Sequence, residues 1–392
     1  MIKRTTEAFL EFIKSEQAGG VTLIFCVIVS LIIANTSANE NFARLLASTF
    51  GYESGALHLK YSLLNWINDG LMAIFFFLIG LEIKNEIIDG HLSSFKIAAV
   101  PIFAAVGGAI VPALIYFAFN HGQTTNAGWA IPMATDIAFA LGVLSLLGKL
   151  VPASLKVLLS TLAVVDDLLA IVIIAIFYST TLHWLYLAIA LGIFLLLLLM
   201  NKLGVKHLAF YLIPGIVLWY FIHHSGIHAT IAGVLTALAI PVSSKKGPIL
   251  SKLAHQLNTP VNFIIMPVFA LANTNIHFEA GMVNGVFGIL GLGIILGLLF
   301  GKPLGVMFFA WLTVKLKIGS LPDQLSWKHI AGMGMLAGIG FTMSIFISLL
   351  SFGSSVYNTE AKFAILIASI AAGVLGFVYL RSVLIVNKKS RH

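Results

Sequence analysis

The sequence predicts an all-α polytopic membrane protein with about twelve transmembrane helices, and three observations carry that reading. First, 59% of the 392 residues are hydrophobic and only 10% are charged, where a soluble domain has about a quarter charged. Second, long apolar runs fill nearly the whole chain, and runs such as Leu191 to Met200 lack the alternation of barrel strands. Lipid admits only helices and closed barrels, because each backbone polar group must be satisfied internally. Third, the basic residues are one-sided. With spans centred near residues 27, 73, 108, 136, 167, 191, 214, 234, 268, 299, 340 and 373, Lys and Arg divide nineteen against three between the two sets of loops. The three are Arg44, Lys60 and Lys362, and Lys302 lies inside a span. The positive-inside rule then puts both termini in the cytoplasm. The net charge of +8 orients the chain in a lipid bilayer and implies no nucleic-acid partner.

Residues 1–20 carry Glu7, Glu11 and Glu16 and read as a short amphipathic cytoplasmic helix. Those acids are wrong for the basic start of a signal peptide, so Val21 to Ala34 is the first span. The one cysteine, Cys26, excludes an intrachain disulfide. Two later spans are interrupted. AGWAIPMATDIAFALGVLSLLG (127–148) has Pro132, Thr135 and Asp136 in mid-segment. HIAGMGMLAGIGFTMSIFISLL (329–350) packs Gly332, Gly334, Gly338 and Gly340 before Thr342 and Ser344. Proline and clustered glycine weaken the helical ladder, although glycine also lets membrane helices pack closely. Each interrupted span is the middle member of a three-span group, 96–178 and 286–386. On this topology the two groups are inverted repeats within one transmembrane domain over 1–392. Paired interrupted spans in inverted halves point to a transporter site.

The fifth span, STLAVVDDLLAIVIIAIF (160–177), holds two adjacent aspartates. One charge at the centre of a membrane helix costs roughly 2.5–3.5 kcal/mol on insertion scales, so intramembrane ionisable groups are read as functional. Here they are Asp136, Asp166, Asp167 and Lys302. Neighbours on a helix point about 100° apart. Asp166 and Asp167 therefore cannot face the same partner, leaving one to pair with Lys302 and the other to line a water-filled path. A structural ion pair alone leaves two carboxylates unexplained, and buried pairs stabilise weakly once desolvation is counted. Burial and mutual repulsion disfavour ionised carboxylates while a lysine favours them. Such a pair holds a hard cation when ionised and protons when not, never both at full strength. Competition at one site with access alternating between faces is sufficient to exchange Na⁺ for H⁺. The cycle is electrogenic if one sodium displaces more than one proton. Asp136 and Lys302 have a second candidate task, compensating the like dipole ends of half-helices that meet.

These residues are similar to a known family. ATDIAFALGV (134–143), VVDDLLAI, GKPLG (301–305), GIHATIAGV (226–234) and DGLMAIFFFLIGLEIKNE (69–86) resemble the NhaA family of sodium–proton antiporters, collinearly over nearly the whole chain. This family is itself an example behind the inverted-repeat rule used above. The resemblance implies crossing interrupted helices in a twelve-span inverted-repeat fold. It implies that Asp166 and Asp167 bind the transported Na⁺ or Li⁺ and the protons, that Lys302 pairs with Asp166, and that Thr135 and Asp136 lie at the crossing. It implies the bacterial inner membrane, no cofactor, and a homodimer aided by an external β-hairpin, for which STFGYESGALHL (48–59) is the candidate. It also implies pH regulation through Glu82, Glu86, His228 and His255. Asn85, where the family pattern has arginine, and Ala254, where it has glutamate, alter that charge network.

Other classes fit less well. A cation channel relies on oligomeric rings of carbonyls or charges, and the chain has no pore-loop repeat. An enzyme reading, an intramembrane aspartyl protease, fails on ATDIAF and VVDDLL, which do not resemble that motif pair. HHSGIH lacks a fourth ligand for zinc, and no Walker loop for ATP is present.

Overall fold

The computed structural model describes residues 16–55, 57–90, 92, 95–179, 181–244, 247–278, 285–322 and 324–389. Most of the amphipathic helix expected over 1–20 lies outside the described residues. Its last residues belong instead to the helix that continues as the first span. In chain order the principal helices are α1 (Glu16–Ala34), α2 (Asn39–Ala47), α3 (Met72–Ile88), α4 (Phe95–Asn120), α5 (Ile137–Ser145), α6 (Ala153–Phe177), α7 (Trp184–Lys202), α8 (Ala209–His224), α9 (Ile231–Ala239), α10 (Ile249–Pro260), α11 (Met266–Asn273), α12 (Ile289–Leu296), α13 (Lys302–Lys315), α14 (Trp327–Ala337), α15 (Phe341–Phe352) and α16 (Val356–Lys389). π-helical turns at Trp66–Leu71, Val261–Ile265 and Gly297–Gly301 lead into α3, α11 and α13.

Among the described residues five helices are long and apolar enough to cross a membrane: Lys96–Asn120, Ala153–Phe177, Trp184–Lys202, Ile289–Lys315 and Val356–Val386. Three more pairs qualify only together, because each is bent at a short break. The pair Thr124–Met133 (a 3₁₀ helix) and α5 bends by 42°, and the pair α14 and α15 by 46°. These are the two spans whose proline and glycines predict interruption. The stretches 95–177 and 289–389 therefore share one order, a long helix, a broken pair and a long helix. α7 turns Leu185, Leu191, Leu195 and Leu199 outward, a face suited to hydrocarbon rather than water. The hairpin expected over 48–59 is present and longer. β1 (Thr49–Phe50) pairs antiparallel with β4 (Tyr61–Ser62), and β2 (Glu53–Ser54) with β3 (Leu57–His58).

The chain divides into two compact units. One takes in Met1–Phe25, His91–Ala170 and Phe278–His392, so far as these are described, and the other Cys26–Gly90 and Ile171–His277. In the first unit α4 and α13 approach until backbone meets backbone. A Cβ at Gly305 would run into the Gly107 carbonyl, and one at Gly107 into that of Gly305. In the second unit α3 and α9 do the same, with Gly233 against the Ala73 carbonyl and Gly80 against Ala237. Association of helices in lipid gains little from water exclusion, so such close approach supplies the van der Waals contact instead. Gly305→Val is therefore expected to destabilise the first unit by at least about 1–3 kcal/mol, the usual cost of overpacking, read as a lowered Tm in detergent.

Candidate functional site

The site lies in the first unit, where the two broken pairs meet. The first break is the extended stretch Ala134 to Asp136, between the 3₁₀ helix and α5. The second is Gly338 to Gly340, between α14 and α15. Backbone that leaves a helix must bond elsewhere, and each break supplies the other. The Asp136 N–H donates to the Ile339 carbonyl at 2.7 Å. The Asp136 carboxylate caps two helices at once, accepting from the Phe139 N–H at 3.0 Å and from the Thr342 N–H at 3.2 Å, with the Thr342 hydroxyl on the same oxygen. Ser369 on α16 accepts from the Phe341 N–H at 3.1 Å, and the Ser344 hydroxyl donates to the Ile131 carbonyl at 2.7 Å. Phe139 and Phe341 meet edge to face, ring centroids 5.6 Å apart.

Charge follows the helix ends. Asp136, 1% exposed, stands at the N-termini of α5 and α15, where partial positive charge collects. Lys302, fully buried, donates to the Met133 carbonyl at the C-terminal end of the 3₁₀ helix and to Asp166 Oδ2. The Lys302 stem lies 3.5 Å from where a Cβ on Gly108 would be, so α4 leaves room for it. The Thr135 hydroxyl lies 2.7 Å from Asp166 Oδ2 and 2.8 Å from the Ala337 carbonyl at the end of α14. One hydroxyl hydrogen faces two acceptors. Asp166 Oδ1 is buried and makes no hydrogen bond. Asp167 is 1% exposed, on the same helix and within electrostatic reach of Lys302.

Thr135, Asp166 and Lys302 thus share one constellation, Asp167 borders it, and Asp136 sits across the break. The sequence pointed to these five. It did not single out Thr342 or Ser369 as partners of the crossing, and a threonine or serine among apolar residues gives no sign of which distant N–H it serves.

A family profile described as "Na+/H+ antiporter 1" matches residues 10–380. The chain belongs to that family. Na(+)/H(+) antiporter NhaA 2 of Flavobacterium johnsoniae is 61% identical over 377 residues, covering 95% of this chain and 92% of the relative. The NhaA of Flavobacterium psychrophilum is 50% identical with 97% of each chain covered, and that of Dechloromonas aromatica 49% with 96% of each.

The other candidate residues of this Na+/H+ antiporter 1 chain lie in the second unit, at opposite ends of α3 and its π-helical entry. Asp69, not singled out by sequence, stands 3.4 Å from His228 Nε2, and His228 Nδ1 is 2.9 Å from the Thr230 hydroxyl. Glu82 and Glu86 lie thirteen and seventeen residues further on, within electrostatic reach of each other. Between them Lys84 donates to the carbonyls of Leu238 and Ile240, at 2.6 and 2.5 Å, and closes the C-terminal end of α9. α10 packs against α3 and carries His255, which is exposed. Of the four candidates for pH response, His228 thus lies with Asp69, Glu82 and Glu86 lie together further along α3, and His255 lies on α10.

Lys302→Met would leave Asp166 buried without its cation and is expected to cost about 3–5 kcal/mol. Adding Asp166→Asn should recover most of that loss. In the single variant the loss should grow as pH rises, because protonation of Asp166 removes the uncompensated charge. Thermal unfolding of the wild type, both single variants and the double, across pH, reads the coupling.

Proposed function

We propose that this chain is a secondary transporter, not an enzyme, that exchanges Na⁺ or Li⁺ for H⁺ at Asp166 and Asp167. The observation that carries the proposal is Asp166, which offers a buried oxygen without a hydrogen bond while its other oxygen meets Lys302 and Thr135. An ionised Asp166–Asp167 pair attracts a cation, and a proton on either removes that attraction. Thr135 makes the two states structurally distinct. With Asp166 ionised the single Thr135 hydrogen serves either the carboxylate or the Ala337 carbonyl. With Asp166 protonated the acid donates to Thr135 and the hydroxyl is free to donate to α14. Proton binding is thereby coupled to the end of a broken helix, and a broken helix is the element that can change access.

The reading extends to an electrogenic cycle, since two carboxylates displace two protons for one sodium, and to twelve spans built as inverted repeats over 96–178 and 286–386. It places the chain in the bacterial inner membrane with both termini cytoplasmic, as a homodimer aided by the β1–β4 hairpin. Regulation by pH falls to the His228–Asp69 pair and to Glu82, Glu86 and His255, with Asn85 and Ala254 shifting the threshold. A channel would need no competition between the two ions, and the shared carboxylates favour exchange.

Purified protein in liposomes with an acidic interior should alkalinise the lumen when Na⁺ is added outside. Asp167→Asn should abolish the signal, and loss of no activity in that variant would overturn the assignment. Mass action adds a quantitative expectation. Below the pH at which the site loses its protons, the apparent KM for Na⁺ should rise tenfold per pH unit for each proton displaced, so the slope of log KM against pH reports the stoichiometry. His228→Gln should move the midpoint of the pH profile while leaving that slope unchanged.

A further inference from the structure

We propose that Tyr116, Asn120 and Thr125 form a latch that fixes the 3₁₀ half-helix and closes one end of the first unit, so that Asp166 and Asp167 are reached from that end only when the latch parts. The proposal rests on the exchange reading, in which the two aspartates must be reached from each side in turn.

The half-helix Thr124–Met133 is ten residues of 3₁₀ structure. Such helices have poor hydrogen-bond geometry, and runs beyond about three or four residues are uncommon, so its surroundings must hold it. Its C-terminal end lies at the site, where Lys302 bonds the Met133 carbonyl. Its N-terminal end follows the exposed turn His121 to Gln123, about 20 Å away at a rise of about 2.0 Å per residue. A path from that turn to the aspartates would follow the half-helix.

Three side chains fasten the N-terminal end. Asn120, the last residue of α4, and Tyr116, one turn earlier, are both fully buried. The Thr125 hydroxyl donates to Asn120 Oδ1 at 2.6 Å, and the Tyr116 hydroxyl to the Thr125 carbonyl at 2.7 Å. Asn120 Nδ2 donates to the carbonyls of Tyr116 and Ile289, at 3.1 and 3.2 Å. Turned over, the amide would set its oxygen against two carbonyls, so its partners fix its orientation. One asparagine thus joins α4, the 3₁₀ helix and the start of α12. α12 continues through the π-helical turn into α13. The half-helix is therefore tied to one span at both ends, at Ile289 through Asn120 and at Lys302 through Met133. Little space is left around the fastening. A Cβ on Gly128 would run into the Tyr116 hydroxyl and the Phe352 ring, and one on Gly293 would stand 2.6 Å from Asn120 Nδ2.

The chemistry suits a contact that opens and closes. A permanent strut here could be wholly apolar, whereas buried hydroxyls and an amide are costly unless bonded. When such a network parts into water, water takes over each partner, so the net cost of parting is small.

The test uses full-length protein in liposomes, with Cys26→Ser and Asp167→Cys, and a membrane-impermeant cationic thiol reagent added to one side at a time. His121→Cys, in the exposed turn, marks the side that this end faces. Thr125→Val leaves Asn120 Oδ1 without its donor. Labelling of the thiol introduced at position 167 should then quicken about fivefold or more from the His121 side and stay unchanged from the other. Tyr116→Phe loses one hydroxyl and keeps its ring, and should act in the same direction. Thr125→Ser should keep the parent rate. Unchanged labelling in both Thr125→Val and Tyr116→Phe would overturn the proposal. So would an equal rise from both sides, or a rise in Thr125→Ser as large as in Thr125→Val, because either marks looser packing rather than a parted latch. Labelling reads access without ion exchange. The expected pattern in a protein that exchanges no ions would sink the exchange reading alone, and exchange by the wild type with unchanged labelling would sink the latch alone.

Discussion

Peptide that leaves the helix inside a membrane must still bond its N–H and C=O groups, and the first unit is built around that constraint. Two breaks at unrelated depths would each need their own partners. Brought together, they serve each other: the Asp136 N–H reaches the Ile339 carbonyl, and Thr135 reaches the Ala337 carbonyl. What remains is covered by side chains from further away, Ser344 on Ile131 and Ser369 on Phe341. The packing of α4 against α13 matters for the same reason. Gly107 and Gly305 bring α4 and α13 into contact, and Lys302 at the start of α13 reaches the Met133 carbonyl at the end of the 3₁₀ helix.

Charge is the second consequence. Half-helices that meet present like ends to one another, and the acidic and basic residues stand where those ends are. Asp136 faces two N-termini, while Lys302 faces a C-terminal carbonyl. These two charges answer backbone dipoles as well as side chains, so their burial is balanced locally. Asp166 is different. Its bonds use one oxygen, and the other is buried without a hydrogen bond. Asp166 and Asp167 lie side by side, both within reach of Lys302.

The second unit uses the same means for stiffness. Lys84 closes the end of α9 with its ammonium group, and Gly233 brings α9 onto the backbone of α3. Glu82 and Glu86 flank that lysine along α3. They thus lie next to the helix terminus that Lys84 closes, with Asn85 on the same helix and Ala254 on α10, which packs against it.

The sequence by itself determined the membrane setting, the two interruptions and which four charged residues are buried within the spans. Each rests on a local penalty: apolar length, a proline or glycine cluster that weakens the ladder, or a charge that hydrocarbon does not tolerate. It also placed the hairpin, short of its last residues. Only the tertiary structure decided which partner each group meets. The residues alone left open which aspartate takes Lys302, the resemblance implied Asp166, and the structure shows that pair; Asp136 is shared with Thr342, and His228 joins Asp69 rather than the glutamates at the other end of α3. Thr342 and Ser369 were not legible as partners, because hydroxyls bonding across hundreds or tens of residues leave no periodic trace in a chain. Adjacent aspartates look alike in sequence and become unlike only when a lysine from another helix reaches one of them.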